Sequence, residues 1–498
     1  MAKGSEVDRL KPNAIGLAGV LFIAVTGAAP ISAMLFNVPF GVGFGNGQYM
    51  PAAFLFATIV LTLFSIGYVS MAKRIRAAGG FYTFVTHGLG RELGLATGIC
   101  GALAYCLFEV SLLGGFSYFA STNFNSWFGW EIPWILFALG AAALIAIFAW
   151  FDVALSVKIL GVALITEIII LAIFDAVVLA QGGASGWTWE ALNIFNITES
   201  AVGADGAVIG AAGVGVFLAF WSWVGFEAIP NFAEESRHPV RNIPRATLIA
   251  VVGLGIGYVI TSFAFVTAFA PDELIAAAGS ADDPPFFAAM EKYGSNFLRT
   301  VMEILILTGA FACAMAFHNV AMRYFYALGR EGMIPRQFGA THSKHKVPHV
   351  ASLTQTAIAV VILAVWGIVA GFGYGAAFDA AYVRIYTMMA VQGVVWLLAI
   401  QTVCAVAVIV WHQREKLGDN VLVTTVAPLL AIVGQVWAIY LLFTNIDTLA
   451  GTIGYVAWIK WIAIAGLVVS LVYALALKNM NRAKYDAIGQ TVDSVEHV

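Results

Sequence analysis

The chain has 498 residues, 61% of them hydrophobic and 11% charged, whereas an ordinary soluble domain is about 45–50% apolar and about 25% charged. A composition this apolar excludes an ordinary water-soluble globular protein and points to one embedded in a bilayer. The net charge of −3, with no long basic or acidic tract, gives no footprint for nucleic acid as a partner.

The polar N-terminus, residues 1–13, lacks a small-residue cleavage site of signal-peptide type and is expected to be retained. A spanning helix needs about 20 mostly apolar residues. Twelve runs meet that need: 14–37, 47–72, 94–119, 132–150, 155–181, 206–232, 245–270, 297–329, 348–371, 382–411, 420–443 and 455–477. Short alternating strands, which a closed barrel requires, are not seen, so the spans are helices. With the N-terminus inside, every Lys and Arg falls on the cytoplasmic side except Lys292, Arg299, Arg384 and Lys460. This bias predicts a multi-pass protein of the plasma (inner) membrane with both termini cytoplasmic. No appended soluble domain is expected. The longest connections, near 182–205 and 271–296, lie outside, and the polar tail after Lys478 is expected to be loose. Cys100, Cys106, Cys313 and Cys404 sit in apolar segments with no CxxC pair; they read as small buried hydrophobes, not as a disulfide or metal framework.

The first run is interrupted at its centre: "LFIAVTGAAPIS", residues 21–32. A break facing lipid leaves backbone groups unpaired, each costing several kcal/mol, so such breaks belong beside a cavity. Val25, Thr26 and Gly27 end one half-helix, Ala28 and Ala29 form the break, and Pro30 suits the first turn of the next half. The free N–H groups of that second half suit a carboxylate; a plain proline kink is the alternative. The sixth run repeats the device in "FLAFWSWVGFEAIPNFAEES", residues 217–236, where Glu227 lies between Gly225 and Pro230. Phe220, Trp221, Ser222, Trp223 and Phe226 straddle this break as pocket-lining candidates. Discontinuous helices at matching places in two halves are a pointer to a transporter's substrate site.

An ionisable residue inside a span costs roughly 2.5–3.5 kcal/mol by insertion scales and is a site hypothesis by default. Glu109 shares a helical face with Tyr105, Leu112 and Phe116, and a carboxylate beside aromatics suits an amine; a structural hydrogen bond is the alternative. Glu167, in the middle of the fifth run, can load and release a proton or help bind a cation. Asp175 and Glu303 lie near span ends and are expected to snorkel. His318 can titrate near neutrality, or simply pack. Gly90, Gly94 and Gly98 let the third helix approach a neighbour closely. Arg237, Arg241 and Arg245 with Glu234 and Glu235 form a predicted cytoplasmic charge cluster.

Three stretches carry a resemblance: "AAGGFYTFVTHGLGRELGLATG" (77–98), "FWSWVGFEAIPNFAEESRHPVRNIPRA" (220–246) and "NVAMRYFYALGREGMIPRQFGATHSKHKVPHVA" (319–351). They resemble permeases of the amino acid–polyamine–organocation (APC) superfamily. The resemblance implies an all-α, 12-helix fold with a five-plus-five inverted repeat of leucine-transporter type. Helices one to five would fill 14–181, helices six to ten 206–411, and two extra helices 420–477; the tail, 478–498, would be cytoplasmic. It implies substrate held between broken helices one and six, with helices three, eight and ten flanking. In many relatives the first break reads Gly-small-Gly, whose amides bind a substrate carboxylate. Here it reads "TGAAP", and a proline near this place resembles some polyamine importers. Glu167 aligns where some relatives carry a lysine in place of a sodium ion, which implies proton coupling. Glu227 belongs to the sixth-helix signature, which implies gating or proton sensing; a cap on the unwound backbone is the alternative.

The expected function is a secondary active transporter importing an amino acid by proton symport with alternating access. The alternatives are an importer or exchanger of amines or polyamines, or sodium coupling. No Walker motif, HExxH or GxSxG is present, so neither ATP nor an enzymatic role is expected. The only partners expected are a small-molecule substrate and the bilayer, with no cofactor beyond the coupling ion.

Overall fold

The computed structural model describes residues 13–76, 79–151, 153–280, 284–416, 418–450, 458–489 and 493–494. Most of the N-terminal segment, the start of the last predicted span and part of the C-terminal tail therefore lie outside the described residues.

The long helices are α1 (Leu17–Gly27), α2 (Met50–Ala72), α3 (Arg91–Phe128), α4 (Trp134–Trp150), α5 (Val153–Ala180) and α6 (Ala212–Trp221). They are followed by α7 (Pro239–Ala268), α8 (Asn296–Arg330), α9 (His349–Ala370), α10 (Met388–Glu415), α11 (Ala427–Ala450) and α12 (Ile459–Met480). Among the described residues, ten segments can cross a membrane by length and composition, against twelve predicted. Two places make the difference. Residues 17–72 form one apolar stretch because short helical turns join α1 to α2 without a polar loop, and α4 is only 17 residues long.

Burial sorts the helices. The segment Ala212–Phe232 is wholly inside, whereas the apolar windows of α9 and α12 are only 22% buried. Val361, Ile368, Val469 and Val472 are exposed apolar residues on those two helices, as a lipid-facing surface requires. The glycines of α3 allow close packing on the helix Phe81–Leu89: a Cβ at Gly94 would lie 2.8 Å from the Thr86 Cα, and one at Gly98 would lie 2.9 Å from the Tyr82 ring.

Both described ends lie on one face. Ile15 donates its N–H to the Glu235 carbonyl (3.1 Å), and Gly489 donates its own to Glu331 (2.9 Å), one residue past α8. The expectation of a loose tail fails for residues 482–489. Arg482–Ala487 is a helix, Tyr485 and Ile488 are buried, and Asp486 pairs with Arg91 at 2.6 Å. The acids expected to snorkel are instead partnered. Glu303 takes Arg299 (3.0 Å) and Trp127 Nε1 (2.9 Å), and Asp175 accepts the Thr261 hydroxyl (2.9 Å).

Two broken helices and the cavity between them

Helix α1 stops at Gly27. Ala29 sits in the left-handed region (φ 42°, ψ 70°), and Pro30 opens the next turn. An L-residue held there costs roughly 1–3 kcal/mol and persists only when its surroundings fix it. They do so here. The orphan carbonyls of Gly27 and Ala28 accept from Cys313 Sγ (3.2 Å) and the Tyr258 hydroxyl (3.0 Å). Beyond the break, Glu167 Oε2 accepts the Ile31 N–H at 3.2 Å.

Helix α6 stops at Trp221. Gly225 has φ +124°, and a 3-10 helix, Phe226–Phe232, follows. Glu227 folds back so that both its carboxylate oxygens accept the Gly225 N–H (3.1 and 3.0 Å), and Oε1 also accepts the Tyr105 hydroxyl (2.7 Å). The two breaks touch: a Cβ at Gly225 would lie 2.5 Å from the Gly27 carbonyl carbon. Only glycine meets both the positive φ and that approach.

Between the breaks lies a small cavity of about 20 Å³, room for about one water molecule. Of the site residues expected from the sequence, Gly27, Ala28, Ala29, Trp221 and Ser222 line it. Asn37, Ser32, Leu112, Cys313, Phe317 and Tyr386 also line it and were not among the predicted site residues. Asn37 donates to Ser222 Oγ (2.9 Å), tying the two broken helices together by side chains, and Ser32 Oγ is buried without a hydrogen-bond partner. Asn37 carries a sequence signal, being an amide inside an apolar run, and Leu112 carries one by sharing the helical face of Glu109; Phe317 carries none beyond its helix.

Several predicted residues stand elsewhere. Glu109 is not in the cavity. It turns to α8 and α9, where His318 Nδ1 lies 3.0 Å from Oε1 and Gln355 Nε2 donates to Oε2 at 2.6 Å. His318 Nε2 meets Ser352 Oγ at 2.8 Å. Tyr105 serves Glu227 and stacks on Tyr324 at 5.6 Å. Trp223 donates to the Val251 carbonyl (3.2 Å), and Phe220 packs on Phe56. Thr26 donates to the Leu160 carbonyl (3.2 Å), and Val25 is core. Of the amides at the break, Ala28 and Ala29 donate to the Ala24 and Thr26 carbonyls, Ile31 donates to Glu167, and Pro30 has no N–H.

The cavity is closed at both ends. Toward the face away from the chain ends, Tyr386 stacks on Trp221 (5.5 Å) and Phe36 (4.2 Å). Beyond this stack a vestibule of about 210 Å³ begins, lined by Phe36, Tyr382 and the connection at Ala278–Ser280. Toward the chain ends, Arg323 is buried under the Phe232 ring (4.2 Å) and paired with Glu235 at 2.5 and 2.9 Å. Arg330 pairs with Glu234 at 2.8 Å. The acidic pair thus takes Arg323 and Arg330 of α8 as partners. Arg237 instead donates to the Asn13 carbonyl (3.0 Å).

Comparison with known proteins agrees with this architecture. A family model for amino acid permeases matches residues 15–472. The branched-chain amino acid permease BcaP of Bacillus subtilis is 24% identical over 323 residues, 61% of this chain and 65% of BcaP, so just under two thirds of that relative is spanned. The low-affinity putrescine importer PlaP of Escherichia coli is 24% identical over 344 residues, 68% of this chain and 73% of PlaP. The crystal structure of the Eremococcus coleocola manganese transporter, in complex with an aromatic bis-isothiourea substituted compound, superposes with a TM-score of 0.59 at 11% identity. It covers 96% of this chain and 99% of that one, a likeness of fold alone. The helical fold is therefore shared with that solved structure, and with the match over 15–472 the chain belongs to the amino acid permease family.

Proposed function

We propose that the chain is a secondary transporter that carries a zwitterionic, net-neutral α-amino acid across the plasma membrane by alternating access, importing it with a proton. The observation that carries this is the cavity between the breaks, whose lining, among the described residues, holds no charged side chain. A diamine brings cationic charge that buried carboxylates would have to match, and Glu109 is committed to His318 and Gln355. A zwitterion brings opposite charges that hydroxyls, an amide and aromatic faces can meet. The name of BcaP points the same way. The name of PlaP favours an amine, and that second reading is separable by experiment.

Glu167 is the proposed proton carrier. Its carboxylate caps the second half-helix, where the helix dipole favours negative charge, and its Oε1 is buried with no hydrogen-bond partner among the described residues. A charge-assisted hydrogen bond is stronger than a neutral one. Protonation therefore loosens the hold on Ile31 and frees the half-helix to move. We also propose the division into inverted halves 14–181 and 206–411. The Lys/Arg bias supports cytoplasmic ends. No cofactor is needed beyond the coupling ion, with the proton favoured over sodium.

The test is uptake into proteoliposomes under an imposed pH gradient. Accumulation of neutral branched α-amino acids, with none of putrescine, is expected. Accumulation of putrescine alone would replace this reading with the amine one.

A further inference from the structure

A second pocket, of about 590 Å³, opens where α12 and the tail helix Arg482–Ala487 meet the connection that leaves α8. Its floor is Glu331, Gly332 and Met333, and Tyr473 of α12 closes one wall by donating to the Met333 carbonyl at 2.7 Å. Gly332 turns with φ +78°, and Arg336 folds back over it, its Nε 3.8 Å from where a Cβ would stand. Lys484 faces the same pocket from the tail helix.

The surrounding bases already have acids: Arg330 has Glu234, Lys478 has Glu92, and Arg91 and Arg482 share Asp486. Among the described residues Arg336 and Lys484 make no ion pair, and both are exposed. The pocket's own acid, Glu331, is turned inward and accepts from the Tyr82 hydroxyl and the Gly489 N–H. Beside the pocket, Val472, Leu475 and Met480 of α12 are exposed apolar residues, so this part of the helix faces hydrocarbon. The site therefore has a cationic rim and an apolar flank, at the depth where a span ends.

We propose that this pocket binds the phosphate group of an anionic phospholipid. Arg336 and Lys484 pair with the phosphodiester, and an acyl chain lies along α12. Arginine suits a phosphate by its forked donors and lysine as a point charge, and basic pockets beside spanning helices are a recurrent form of lipid recognition. A bound headgroup would tie the tail helix to the α8–α9 connection. The inference stands independently of which solute is carried.

The test uses the full chain in nanodiscs of phosphatidylcholine, with and without phosphatidylglycerol. It reads the melting temperature, and lipid retained in native mass spectrometry. Phosphatidylglycerol is expected to raise the wild-type melting temperature by a few degrees and to be retained. R336Q/K484Q should lose both effects while melting like wild type in pure phosphatidylcholine; K484Q alone, at an exposed position, serves if the double variant folds poorly. Equal response of wild type and variant, or no preference between lipids, overturns the proposal. So does an equal shift with inorganic phosphate in pure phosphatidylcholine, which would make this a soluble-anion site.

Discussion

Glu167 and Ile31 join two helices that lie 136 residues apart in sequence: the carboxylate on α5 accepts the first amide available beyond the break in helix one, at 3.2 Å. Pro30 makes Ile31 that first donor, because it has no N–H of its own. The break, the proline and the buried acid are thus one device. Glu167→Gln keeps an acceptor but cannot change charge. Uptake driven by a pH gradient should fall by at least about tenfold, the equivalent of about 1.4 kcal/mol, while exchange of internal for external substrate survives. Gradient-driven uptake at the wild-type rate would remove Glu167 from coupling.

The contact between the breaks predicts an asymmetry. Gly225→Ala adds a Cβ 2.5 Å from the Gly27 carbonyl carbon at φ +124°, whereas Gly27→Ala meets Gly225 only at 3.4 Å. The first should destabilise by about 1–3 kcal/mol through strain and overpacking, and the second by less than that. Melting temperatures of the two variants in one detergent decide it; equal losses would mean that the breaks do not touch.

Arg323 and Glu235 close the cavity on the side of the chain ends. Removing one partner of a buried pair costs about 3–5 kcal/mol in the state that holds it. Arg323→Ala should therefore depopulate the closed state and expose Cys313, which lines the cavity. Labelling of Cys313 by a thiol reagent should rise well above wild type, with Cys313→Ser as the blank. Unchanged labelling would place the gate elsewhere.

Glu109→Gln should change binding of neutral and cationic ligands by the same factor, because Glu109 faces His318 and Gln355 rather than the cavity. A loss confined to cationic ligands, seen by competition binding, would return Glu109 to substrate recognition.

The sequence exposes what physics forbids by default. Proline and glycine inside apolar runs, and acids inside spans, are costly enough that each must have a local reason, so both breaks and Glu167 could be found without coordinates. It does not reveal which way a side chain on a long helix turns. Tyr105, Glu109 and Leu112 share a face by spacing, yet one serves Glu227, one serves His318 and one lines the cavity. The lateral order of neighbouring helices decides that, and spacing carries no information on it. Tyr386 is a similar case: its place in the aromatic stack depends on how α10 approaches helices one and six. The pairing of Glu235 with Arg323 and of Glu234 with Arg330 is hidden for the same reason, since both arginines lie on α8, far along the chain.

The proposed site is uncharged and takes a zwitterion. The most direct measurement is calorimetric binding to the purified protein of a matched pair, leucine and its decarboxylated amine, at one pH. Saturable binding of leucine is expected, with none of the amine at the same concentrations. Tighter binding of the amine would contradict it.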